Sequence, residues 1–81
     1  MYKVEASYFL GHPTYDPKDY LDELYEAGLD DCTLGVGCHG FLRIDCDRKG
    51  KTQLSVERSI LKDIRKVFPY ANLVIKKIYV D

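Results

Sequence analysis

Four side chains suited to metal or nucleophilic chemistry fall between positions 32 and 46: Cys32, Cys38, His39 and Cys46. Zinc favours thiolate and imidazole ligands, but structural zinc sites bring two ligands together on a tight knuckle. No C-x2-C pair occurs here. Cys46 falls on the buried phase of an alternating segment, whereas Cys38 and His39 sit in a glycine-flanked turn. The spacing therefore predicts small buried thiols and one exposed thiol, with no metal or other cofactor. Cys38 and His39 are adjacent, but neighbours on extended backbone point in opposite directions, and no third group is evident to orient the imidazole. Asp45 and Asp47 share a strand face, and Asp30-Asp31 lies close in sequence. Such clusters can hold Mg²⁺ or share a proton. Here Arg43 and Arg48 stand close enough to neutralise them, and a strand face is not a pocket. The run Gly35-Val36-Gly37-Cys38-His39-Gly40 lacks the lysine and the following helix of a phosphate loop. It reads as hairpin geometry. No catalytic constellation emerges, and the chain is expected not to be an enzyme.

RNA binding is the next chemistry to test. His39-Gly40-Phe41 echoes the start of the aromatic signature with which RNA-recognition motifs stack bases. Leu42-Arg43-Ile44 then lacks the second aromatic, and acidic side chains on the same face would repel phosphate. The net charge of −1 argues likewise against general affinity for nucleic acid or a membrane surface. That small total hides a polarity. Residues 1–47 carry ten acidic and three basic side chains, and residues 48–81 carry nine basic and three acidic. One charged face could meet a partner, or two copies could pair acidic to basic.

Periodicity shows which strands and helices carry these residues. Tyr2 to Leu10 alternates apolar and polar, as a strand with one buried face does. Asp16-Pro17 opens a helix, with Leu21, Leu24, Tyr25 and Ala27 as its apolar stripe and Asp19, Asp22, Glu23 and Glu26 pointing away. Gly28 is placed to end it in a left-handed conformation. Two strands follow, Cys32 to Val36 and Phe41 to Asp47, joined as a hairpin, with a bulge or close backbone contact expected at Gly35 and Gly37. Thr52 caps a second helix to about Phe68, with Val56, Ile60, Ile64 and Val67 facing the sheet. Asn72 to Val80 is a final strand. The expected core is Val4, Ala6, Tyr8, Leu21, Leu24, Leu34, Val36, Leu42, Ile44, Cys46, Val56, Ile60, Ile64, Val67 and Val74. The order β-α-β-β-α-β over 81 residues predicts one ferredoxin-like α+β domain, residues 1–81. Its four-stranded antiparallel sheet would carry two helices on one face and leave the other bare.

Three cysteines, an odd number, argue against a closed disulfide framework and for a reducing compartment. The N-terminus lacks a signal-peptide layout, and no apolar run approaches the ~20 residues of a membrane span. A cytoplasmic protein is expected.

With the whole chain in view, residues 18–75 resemble the N-terminal α/β domain of small bacterial helix-turn-helix, antitoxin-like DNA-binding regulators. The carrying stretches are Leu21-Asp22-Glu23-Leu24-Tyr25-Glu26-Ala27-Gly28-Leu29-Asp30-Asp31, Leu34-Gly35-Val36-Gly37 and Leu42-Arg43-Ile44-Asp45-Cys46-Asp47-Arg48. Ser59-Ile60-Leu61-Lys62-Asp63-Ile64-Arg65 and Pro69-Tyr70-Ala71 follow. Members of that group continue into the DNA-reading module, whereas this chain ends at Asp81, and Cys46 stands where they usually carry an aromatic. The resemblance implies an accessory domain for dimerisation or partner contact, without DNA readout.

The expected function is thus a non-enzymatic macromolecule-binding or dimerisation module, with a protein partner or a second copy. Its binding residues would be Asp16, Asp19, Asp22, Glu23 and Glu26 on the acidic helix, with Phe41 and Arg43 on the sheet. An alternative is a phage or mobile-element inhibitor of a host defence complex, anti-CRISPR-like, whose acidic helix mimics phosphate spacing. RNA-binding and small metal-binding proteins are the remaining alternatives.

Overall fold

A computed structural model describes residues 1–80. Its elements are β1 (Tyr2–Phe9), α1 (Leu21–Glu26), β2 (Cys32–Gly35), β3 (Phe41–Arg48), α2 (Gln53–Arg65) and β4 (Asn72–Val80). They form an α+β domain with one four-stranded sheet in the order β2-β3-β1-β4, every neighbouring pair antiparallel.

Alternation sets the two faces. Val4, Ala6 and Tyr8 of β1 lie opposite Cys46, Ile44 and Leu42 of β3, and all six are buried. Leu24 of α1 and Val56, Ile60 and Ile64 of α2 join the same cluster, so both helices cover one face of the sheet. Thr52 starts α2 with a capping box: its Oγ1 accepts from the Ser55 N–H at 3.1 Å, while the Thr52 N–H donates to Ser55 Oγ at 3.2 Å.

The first helical segment is shorter than its sequence suggests. Asp16 Oδ1 accepts from the Lys18 N–H at 3.1 Å, but Pro17–Tyr20 is a 3-10 turn and the α-helix proper begins at Leu21. Aromatic packing explains the detour: Tyr20 and Tyr15 both lean on Phe68, ring centroids 4.8 and 5.4 Å away. Leu21 is consequently only half-buried and Tyr25 is exposed. Gly28 takes φ +123° just past the helix, as expected. The second helix ends at Arg65, three residues early, and Phe68 folds back into the core behind it.

The expected core needs correction at its margins. Leu34, Val36 and Val67 are half-buried against the cluster, while Leu10, Leu29, Cys32, Phe68 and Ala71 belong to it fully. Val74 is 59% exposed. Between β1 and β4 the register steps from Ser7↔Ile75 to Tyr8↔Leu73, which leaves Val74 without an opposite number. This bulge lets Leu73 and Ile78, an odd number of positions apart, both turn to the core. Of the two features expected near Gly35 and Gly37, a bulge is not seen in the β2–β3 register, which runs unbroken from Cys32↔Cys46 to Gly35↔Arg43. At Gly35 only a close approach remains, since a Cβ there would lie 3.1 Å from that of Arg43.

Cys32 and Cys46 are opposite one another across β2 and β3, with Cα atoms 4.2 Å apart and their sulfurs bonded. The expectation of unpaired cysteines is thus overturned: an odd count leaves one thiol over, Cys38, and does not prevent the other two from pairing. The inference of a reducing compartment loses that support. Among the described residues, no helix is long and apolar enough to cross a membrane.

Candidate functional site

The four residues that suggested metal chemistry are divided. Cys32 and Cys46 lie in the core as a disulfide, whereas Cys38 is exposed in the hairpin and the His39 imidazole turns to Asp16, Nε2 to Oδ2 3.4 Å. Asp31, Cys32 and Cys46 bring three potential ligand atoms within 4.8 Å of one another. Its sulfurs are bonded to each other, and Asp31 is engaged by Arg48. In this state the group does not suit a cation.

Arg48 does not neutralise Asp45 and Asp47 as the sequence suggested. It turns inward at the end of β3, where Nε and Nη2 donate to the two Asp31 oxygens at 2.9 and 2.8 Å. Nη1 donates to Asp63 Oδ2 at 3.0 Å and to Ser59 Oγ at 3.2 Å, and Nη2 also reaches the Gly28 carbonyl at 2.8 Å. The hydrogen bonds that Arg48 donates to Asp31 hold the Asp31 carboxyl below its ordinary range and raise the guanidinium above its own. This network is structural: one side chain joins β3, α2 and the segment between α1 and β2.

The seven expected binding residues fall on two surfaces. Asp19, Asp22, Glu23 and Glu26 are exposed on the helical layer. Asp16 is committed to the Lys18 amide and to His39. Phe41 and Arg43 lie on the opposite, helix-free face, where alternation puts them.

That bare face follows from the registers. Lys3, Glu5, Ser7 and Phe9 of β1 lie opposite Asp47, Asp45, Arg43 and Phe41 of β3. On the other side Tyr79, Lys77 and Ile75 of β4 oppose Lys3, Glu5 and Ser7. Phe9 and Phe41 form a tilted aromatic pair, centroids 5.4 Å apart. Beside it the small side chain of Ser7 and the absent one of Gly35 create two depressions that meet at Ser7 and Arg43. One, about 280 Å³, runs toward Ile75 and Lys77; the other, about 320 Å³, runs toward Phe41 and Cys38. Ile75 is 61% exposed, and Tyr79 also stands in solvent. Three basic and three acidic side chains surround these apolar groups. Phe9, Ile75, Lys77 and Tyr79 were missed by the sequence reading. Phe9 could have been found, because it shares the outward phase of Lys3, Glu5 and Ser7.

No protein-family model, curated protein or solved structure matches this chain.

Proposed function

We propose that this chain is a non-enzymatic binding module that takes a protein partner on the helix-free face of its sheet. The observation that carries the reading is the composition of that face: an aromatic pair and exposed aliphatics around shallow depressions, bordered by charges of both signs. Aromatics and arginine are the side chains that anchor protein interfaces, with polar groups at the rim. The balance of three acids against three bases suits a protein surface better than a phosphate backbone. The order β2-β3-β1-β4, with a helical crossover on each side of the central hairpin, supports a ferredoxin-like reading of the architecture. Together with the resemblance of residues 18–75, it supports a relative of the regulator accessory domain.

The test compares affinity purification from host lysate of the wild type with two variants, Phe41→Ala with Arg43→Glu, and Asp22→Lys with Glu23→Lys and Glu26→Lys. A partner lost only with the sheet-face variant supports the reading, and one retained by it removes the reading. A second reading, the anti-CRISPR-like inhibitor, is favoured by one observation: Asp19, Asp22, Glu23 and Glu26 form no ion pair among the described residues. Loss only with the helix variant would select it.

A further inference from the structure

The helical layer carries a charge pattern that complements itself. The segment Pro17–Glu26 exposes Asp19, Asp22, Glu23 and Glu26, with Lys18 as its single basic group. Beside it, α2 exposes Arg58, Lys62 and Arg65, followed by the exposed Lys66 at its C-cap. The two acids of α2 are committed elsewhere: Glu57 to Lys76, and Asp63 to Arg48 and Lys66. Arg58 and Lys62, like the four acids of the first segment, have no ionic partner among the described residues. Because both segments cover the same face of the sheet, their exposed sides look the same way. One half of this surface is therefore acidic and the other basic.

We infer that the occupant of this surface is a second copy of the chain, docked about a two-fold axis between the helices. A two-fold contact is isologous: whatever one copy presents to its partner, the partner presents in return. On this surface such an axis places α1 of each copy against α2 of the other, so every acidic row meets a basic one, twice. The contact has an apolar element as well. Between Arg58, Lys62 and Arg65 the half-buried Leu61 floors an open groove of about 510 Å³, and α1 exposes Tyr25. A uniformly charged nucleic acid or protein would match one half of the surface and be repelled by the other. The dimer uses the helical layer and leaves the sheet face free, so loss of the dimer and loss of a sheet-face partner are separate results.

The test is sedimentation equilibrium of the purified full chain at low salt and at about 1 M salt, where the screening length falls to about 3 Å. The expected result is twice the 9.4 kDa chain mass at low salt and the chain mass at high salt. Arg58→Glu with Lys62→Glu turns the two unpaired bases of α2 acidic, and Glu23→Lys with Glu26→Lys turns two of the four acids of the first segment basic. Each variant alone should associate at least about tenfold more weakly. An equimolar mixture should form a heterodimer, since both contacts are then complementary, and its formation also shows that both variants are folded. A wild type that stays at 9.4 kDa at low salt overturns the inference. So does a dimer indifferent to salt, or a mixture that stays monomeric while each variant keeps its helical circular dichroism.

Discussion

Arg48 grips Asp31 with two parallel hydrogen bonds, Nε to Oδ2 at 2.9 Å and Nη2 to Oδ1 at 2.8 Å, across seventeen positions of sequence. The same guanidinium reaches Asp63 and Ser59 on α2 and the Gly28 carbonyl. Replacing it by Met leaves Asp31 and Asp63 without their shared cation. We expect Arg48→Met to cost about 2–4 kcal/mol in urea denaturation at neutral pH. The pH dependence has a definite sign. The folded carboxyl of Asp31 titrates below its unfolded counterpart, so its contribution is present above the ordinary carboxylate range and lost as the pH falls through the folded value. Asp31→Asn should therefore weaken the protein at neutral pH and flatten the acid limb of its stability profile. An unchanged acid limb would remove Asp31 from that account.

Gly28 is bound to the same network by sterics. Its φ of +123° is strained for any other residue, and a Cβ there would come within 2.6 Å of Asp63 Oδ2. Gly28→Ala should cost about 1–3 kcal/mol. Combined with Asp63→Ala, part of that cost should disappear, which a double-mutant cycle in urea would measure.

Tyr8 is buried with a hydroxyl that has no hydrogen-bond partner among the described residues. Removing such a group is nearly free, so Tyr8→Phe should change stability by less than about 1 kcal/mol at neutral pH, toward stabilisation. Burial pushes the phenol from 10.0 up to about 12. A raised folded value favours the neutral form, so the native state is fully supported below pH 10.0 and loses that support as the pH rises toward about 12. Tyr8→Phe should accordingly resist alkaline unfolding better than the wild type, as read by circular dichroism.

The disulfide spans fourteen positions, Cys32 to Cys46. Closing a loop of that size stabilises the folded state by roughly 3 kcal/mol in the chain-entropy account. Oxidised protein should present one titratable thiol, that of Cys38, and three after reduction, with a matching fall in urea midpoint. Three reactive thiols before reduction would show the pair to be open.

Much of this architecture is written in local pattern. Alternation in Tyr2–Leu10 and Phe41–Asp47 identifies both central strands and their buried sides, and hence places Phe41 and Arg43 on the bare face. Asp16, Gly28 and Thr52 mark helix boundaries through their own chemistry. What stayed hidden depends on register. Cys32 meets Cys46, and Phe9 meets Phe41, only once strand pairing is known. Val74 looked buried because period-two counting cannot show where a strand skips a residue. Sequence proximity pairs Arg48 with Asp45 and Asp47, whereas folding supplies Asp31 and Asp63 from other elements.

The skipped residue in β4 also bears on what can join this sheet from the side. A strand arriving along the outer edge of β4 would find its hydrogen-bonding rhythm intact on one side of Val74 and out of step on the other. Ladder growth stalls at that point, so no straight neighbour can zip along the full edge. Along this edge, stacked copies are thus denied the continuous backbone seam from which fibrils grow.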